Sequence, residues 1–193
     1  MQPLTFALAI LLLLATPGPT NTLLWLSGAA VGMRRSLPLL LGELAGYLTV
    51  IVPVAVLAVP LISAHPAIGF VLKLAAAGWI LFMAHALWTM KAHGAGERPI
   101  APAQVFVTTL LNPKALIIAL VIMPQVELQA MLPWLLGFAM LTLGAGSLWI
   151  AAGTLLSLLP RRPVGPRVPR RIAAACLVAF SFGIAGSALA SMI

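Results

Sequence analysis

Apolar runs punctuated by short polar stretches set the pattern of this chain. Six of them stand out, at about 3–32, 37–62, 67–90, 102–124, 130–157 and 172–192. An α-helix needs about 20 apolar residues to cross the hydrocarbon core of a bilayer, and each run is close to that length or beyond it. The pattern predicts an all-α integral membrane protein with six transmembrane helices, built as one transmembrane domain over residues 1–193.

Two of the runs are interrupted. The first contains "TPGPTN" at 16–21, and the fourth contains Asn112-Pro113. One straight helix over 3–32 would be about 45 Å long, against a hydrocarbon core of about 30 Å. A break near its middle shortens or re-aims it. Pro17 and Pro19 have no N–H and disrupt the helical ladder. Backbone groups freed in lipid are tolerated only where protein or a wet cavity receives them. Broken helices at matching positions in two halves are a pointer to a transporter binding site. The N-terminus of a half-helix, with its unpaired N–H groups and positive dipole end, suits an anionic group such as a carboxylate. Thr20, Asn21 and Thr22 follow the first break, and Asn112 and Lys114 flank the second.

The halves, about 1–97 and 98–193, also show a weak internal likeness. "PLLLG" at 38–42 resembles "PWLLG" at 133–137, and Pro19 and Pro113 stand at nearly the same offset. Three helices per half is an odd number, so the halves would be inverted relative to each other. The expected architecture is a 3+3 inverted repeat with broken helices 1 and 4.

Charge gives the orientation. Arg34 and Arg35 lie in the loop between runs 1 and 2, Lys91 and Arg98 between 3 and 4, and Arg161, Arg162, Arg167, Arg170 and Arg171 between 5 and 6; the other loops and both termini have no basic residue. The excess of Lys and Arg in cytoplasmic loops then places both termini outside the cytoplasm. The arginine-rich loop reads as a solvated orientation signal or as a contact for anionic lipid headgroups. With no Lys or Arg before Arg34, the first run is expected to be retained rather than cleaved as a signal.

Composition narrows the function. The chain is 62% hydrophobic and 7% charged, with a formal charge of +8, whereas soluble domains carry roughly 25% charged residues. With no globular surface to bear a basic patch, nucleic acid is not an expected partner. There is no aspartate and no phosphate-cradling glycine loop, and neither a catalytic triad nor a metal-ligand cluster can be assembled. No enzyme activity, cofactor or metal is expected. Cys176 lies alone in an apolar run and reads as a small buried hydrophobe.

Glu43 is the one acid within an apolar run, since Glu97 and Glu127 belong to loops. A charge at membrane depth usually faces the bundle interior and is functional by default. Glu43 sits in "LGELAGY", where Gly42 and Gly46 allow a neighbouring backbone to approach closely. Tyr47 shares its helix face. Glu43 could carry a proton, bind an ammonium group or pair with Lys114, and Lys114 could neutralise Glu43 or attract a carboxylate. Lys73 is expected to snorkel to the interface and His85 to be a satisfied buried histidine. The tryptophans are expected mostly at segment ends, with Trp149 beside Ser147 lining the cavity.

These residues carry a family likeness. "TPGPTNTLLWLSGAAVGMRRSLPLLLG" resembles the N-terminal signature of the lysine exporter family, in its LysE/RhtB branch, and "LLNPKALIIALVIMPQ" at 110–125 resembles its fourth-segment signature. "SLWIAAG" at 147–153 and "LKLAAAGWILFMAHALW" at 72–88 are similar to shorter elements. The resemblance implies a six-helix carrier of the bacterial inner membrane that exports amino acids or related metabolites with the proton motive force. Its implied partners are a small-molecule substrate, protons and membrane lipids, and a homo-oligomer is a further option. By motif position it points to Gly18, Pro19, Asn21, Asn112, Pro113 and Lys114; Thr20 stands where members often have Asn or Asp. The alternatives are export of another small cation or metabolite, and a non-transporting membrane assembly factor.

Overall fold

The computed structural model describes residues 2–58, 66–89, 99–124 and 126–158, and positions 171, 174–175, 178–179, 181–183 and 185–186. Every regular element among the described residues is helical. In chain order they are α1 (Pro3–Ala15), α2 (Pro19–Val31), α3 (Met33–Ser36), α4 (Leu39–Pro53) with a π-helical turn at Val54–Ala58, α5 (Pro66–Thr89), α6 (Pro102–Leu110), α7 (Pro113–Ile117) with a π-helical turn at Ile118–Ile122, and α8 (Leu128–Leu158). The described positions between 171 and 186 are also helical.

Proline writes much of this segmentation. α1, α2, α5, α6 and α7 each open on one: Pro3, Pro19, Pro66, Pro102 and Pro113. At the first helical position the missing N–H is one that has no intrahelical partner anyway, and the ring presets φ. Pro53 is different, because it ends the regular ladder of α4 immediately before a π turn. A π turn is a common way for a helix to absorb such a local fault. Between α2 and α3 the chain turns at Gly32, whose φ of +80° is a conformation that side chains with a Cβ rarely adopt.

The interruptions expected in the first and fourth runs are real breaks. α1 and α2 meet at 65°, and α6 meets the α7 segment at 53°. Among the described residues two helical stretches, Met33–Leu57 and Leu128–Ser157, are long and apolar enough to cross a membrane, and counting each bent pair as one span brings the number to four. Outward-facing Leu12, Leu41, Leu57, Leu136, Met140 and Leu148 are all largely exposed. An apolar coat of this extent suits hydrocarbon surroundings rather than water.

The bundle closes through glycine. α2 packs most extensively on α8, and α4 on α6. A Cβ at Gly28 would collide with the Ile150 carbonyl, and one at Gly153 with the Trp25 carbonyl, so α2 and α8 touch backbone to backbone. Gly42 meets the Pro102 carbonyl and Gly46 meets Phe106 and Thr109 in the same way. The close approach expected of the Gly42/Gly46 pair is therefore the α4–α6 contact. Gly137, the counterpart of Gly42 in the "PWLLG" likeness, has open space where its Cβ would be, so these two glycines do different work.

The core lies in two clusters. One gathers Phe6, Ile10 and Leu14 of α1, Tyr47 and Ile51 of α4, Ile118 and Ile122 of the second π turn, and Phe138 of α8. The other joins Leu24, Leu39, Leu40, Val105 and Ile150. His85 faces outward, not into the core, because the buried stripe of α5 runs through Ala77 and Ala84 and leaves position 85 on the next face. Trp134 packs edge-on against Phe6 at 5.0 Å inside the bundle, and the Arg171 guanidinium lies 5.3 Å from the Trp88 ring. The Lys73 side chain, Cys176 and the arginine-rich loop before Arg171 lie outside the described residues.

Candidate functional site

A broken helix leaves carbonyls without N–H donors, and the "TPGPTN" segment shows how this chain answers them. Thr16 caps α1, its N–H bonding to Leu12 O and its hydroxyl to Leu13 O at 2.6 Å. Asn21 spends both amide hydrogens on the break, donating to Leu14 O at 2.8 Å and to Thr16 O at 2.9 Å. Trp149 of α8 donates its indole N–H to Leu14 O at 3.2 Å. Lys114 donates from its ammonium to Thr16 O, across 98 positions of sequence. The C-terminal end of α1, with its partial negative charge, thus receives a full positive charge from the other half of the chain.

The second break is capped more locally. Asn112 is the N-cap of α7, and its Oδ1 accepts the Lys114 N–H at 3.1 Å, the bond expected of Asn at this position. Its Nδ2 donates to Thr20 Oγ1 at 3.1 Å. Thr20 and Thr109 hydroxyls are 3.1 Å apart, and Thr109 Oγ1 lies 2.8 Å from Val105 O. Each hydroxyl has one proton. Thr109 gives its proton to Val105 O, so Thr20 must give its own to Thr109. The chain of donation runs Asn112 to Thr20 to Thr109 to Val105 O and stitches α2 to α6. Gly18 makes room for the crossing lysine: a Cβ there would stand 3.3 Å from Lys114 Cε and 3.4 Å from Nζ.

Thr20, Asn21, Asn112 and Lys114 are each at most 2% exposed. The structure gathers them at one place with Gly18, while Pro19 and Pro113 start the two half-helices that frame it. Glu43 and Tyr47 on α4 are likewise buried, at 1% and 0%. The Glu43 carboxyl is within electrostatic reach of Lys114, and Tyr47 within that of Glu43. Glu43 Oε2 makes no hydrogen bond among the described residues. Trp149 reaches the break through Leu14 and also borders an apolar recess of about 340 Å³ with Leu11, Ala15, Ala145, Leu148 and Ala152. Ser147 does not join either feature: its hydroxyl turns back to Leu143 O at 2.7 Å.

Sequence reading passed over Thr16, Thr109, Thr142 and Gly146. Thr16 carried a usable signal, since it directly borders a break, and Thr109 lies one residue inside the end of α6. Gly146 matters because Glu43 Oε2 lies where its Cβ would be. No group of three or more His, Cys, Asp or Glu that could hold a metal occurs among the described residues. The site has one acid, one cation, two amides and several hydroxyls around interrupted backbone. That inventory can hold a small zwitterion or a proton, and it can be re-paired, because side chains rather than a continuous ladder secure the breaks. No family model matches the chain, and no curated protein and no solved structure matches it.

Proposed function

We propose that this chain is a secondary-active exporter of amino acids or related small metabolites, driven by the proton motive force, and a member of the lysine exporter family. The observation that carries the reading is the junction of the two breaks. Both half-helices restart on a proline, and Lys114 and Asn112 of one half bond Thr16 and Thr20 of the other. Discontinuous helices facing each other near the middle of a bundle are how many carriers build a substrate site. A buried acid beside a buried cation adds a group that can carry the coupling proton and a charge that can meet a substrate's carboxylate. The signature likenesses at 16–42 and 110–125 fall on the same residues.

In this reading the six apolar runs are six crossings, arranged as two inverted sets of three in the bacterial inner membrane. Deleting and overexpressing the gene tests the activity: one amino-acid pool should rise inside the deletion strain and fall on overexpression, and purified protein in loaded vesicles should release that compound under an imposed pH gradient. A metabolite profile and vesicle efflux unchanged across the amino acids and related compounds would sink the proposal. The orientation has its own check. Reporter fusions should give an extracytoplasmic signal after Ile193 and a cytoplasmic one within 160–170; a cytoplasmic signal after Ile193 defeats it.

A further inference from the structure

Three polar side-chain atoms are buried without a hydrogen-bond partner among the described residues: Glu43 Oε2, Tyr47 Oη and Thr142 Oγ1. Buried polar atoms in native proteins nearly always have a partner, and an exception calls for a water or an ion. These three are not scattered. Glu43 and Tyr47 are one turn apart on α4. Glu43 Oε2 lies against Gly146 of α8, where an added Cβ would stand 2.5 Å from it. Tyr47 packs edge-on to Phe138 of α8, with ring centroids 5.7 Å apart. Thr142 is four residues from Phe138 and four from Gly146, so it lies on the same face of α8 between the two contacts. The three residues thus lie along one stretch of the α4–α8 interface. All three residues are at most 1% exposed.

We infer that Glu43, Tyr47 and Thr142 hold one water molecule between α4 and α8, and that this water passes a proton to and from the Glu43 carboxylate. A buried water typically makes two to four hydrogen bonds to groups otherwise unsatisfied, and three are present here. The hydroxyls of Tyr47 and Thr142 can each donate or accept by rotating, so the site is satisfied in both states. A proton arriving on the water moves to Glu43 Oε2. The hydronium becomes water, the carboxylate becomes a carboxylic acid, and both hydroxyls keep their protons. Release is the reverse.

A metal cation fits less well. α4 and α8 are continuous helices here, so their carbonyls are engaged, and three oxygens alone make a sparse shell. Lys114 already places a positive charge near Glu43. Among the described residues Lys114 of α7 and Tyr47 of α4 itself act on Glu43, Gly146 of α8 lies against it with Leu24 of α2 and Leu40 of α4 beside that glycine, Phe138 of α8 meets Tyr47, and α6 meets the same helix with Thr109 at Gly46. Only Lys114 and Tyr47 in that set are titratable.

The site rests on the exporter reading for its role in coupling, but its existence can be tested without any substrate. Infrared difference spectra between acidic and alkaline buffer, on the full chain in lipid nanodiscs, read the protonated-carboxyl band directly. The chain has three acidic side chains, Glu43, Glu97 and Glu127, so assignment is tractable. The high-frequency component of that band, which a carboxyl shielded from water gives, should vanish in Glu43→Gln and persist in Glu97→Gln and Glu127→Gln. Thr142→Val and Tyr47→Phe should each move it to higher frequency, because the carboxyl loses hydrogen bonding through the water. Thr142→Ser, which keeps the hydroxyl, should leave it in place. A band unmoved by both Thr142→Val and Tyr47→Phe, or one that survives in Glu43→Gln, overturns the proposal. If the band behaves as expected while vesicles show no export, the exporter reading fails and the proton site stands. If vesicles export while the band stays unmoved, the proton site fails and the exporter reading stands.

Discussion

Lys114→Met should cost about 3 kcal/mol of stability and remove most of the correctly folded protein from the membrane. The Lys114 ammonium donates to Thr16 O, the C-cap carbonyl of α1, in a place where it is 1% exposed. A hydrogen bond from a charged donor contributes about 1.5–3 kcal/mol. A cation at a partly buried helix C-terminus adds up to about 2 kcal/mol. The two overlap in the same atoms, so the sum falls short of full additivity. Methionine keeps an unbranched stem to pack against Gly18 but supplies neither charge nor donor, and of the two side chains that donate to Thr16 O only Asn21 is then left. A competing account makes Lys114 chiefly the counter-ion of Glu43. Its removal would then leave an uncompensated buried carboxylate, at about 3–5 kcal/mol, and neutralising Glu43 as well would restore folding. The bond from the Lys114 ammonium to Thr16 O, at the end of α1, favours the cap. The double variant Glu43→Gln/Lys114→Met should therefore unfold much like Lys114→Met, with a coupling below about 1 kcal/mol in a double-mutant cycle. Denaturant or thermal unfolding in detergent, with inserted protein quantified alongside, gives the number. Full rescue by the double change would show that the ion pair, not the cap on α1, is what Lys114 supplies.

Much of this arrangement is readable from sequence, and the unreadable part has a physical reason. Prolines and polar residues inside apolar runs have few explanations, so the breaks at 16–19 and 111–113 could be placed closely. Glu43 could be placed inside the bundle because lipid excludes a bare carboxylate and the flanking glycines mark a tight contact. Pairings between distant segments were not legible. Lys114 meets Thr16, and Asn112 meets Thr20 across 92 positions; a carbonyl acceptor leaves no mark on residue type, since every residue has one. Thr142 was silent for a related reason. A lone threonine in a membrane helix normally returns its hydroxyl to the carbonyl one turn back, as Thr109 does to Val105 and Thr49 to Ala45, and nothing in the sequence marks Thr142 as an exception. His85 shows a limit of depth arguments. Its position along the run was right for burial, but facing is set by which neighbours a helix meets, and α5 turns that position outward.

Glu43→Gln should insert and fold nearly as well as the wild type yet lose at least about 90% of its gradient-driven export, the tenfold fall that corresponds to about 1.4 kcal/mol of lost coupling. The amide is the same size as the carboxyl and replaces an oxygen, Oε2, that makes no hydrogen bond to a described residue. No cap at either break involves Glu43, so the scaffold around Thr16, Thr20, Asn21, Asn112 and Lys114 stays intact. The change removes the ability to take up and release a proton. If Glu43 couples export to the proton motive force, vesicles loaded with substrate should stop responding to an imposed pH gradient. Exchange of labelled for unlabelled substrate across the same membrane, which needs no net proton movement, should continue. A residue needed only to bind the substrate's ammonium would lose both processes together, and a residue needed only for packing would lower inserted protein before either. Efflux and exchange, each normalised to inserted protein, separate the three cases. Near-wild-type efflux driven by the gradient in Glu43→Gln would remove Glu43 from the coupling role and move the search to the remaining buried charge, Lys114.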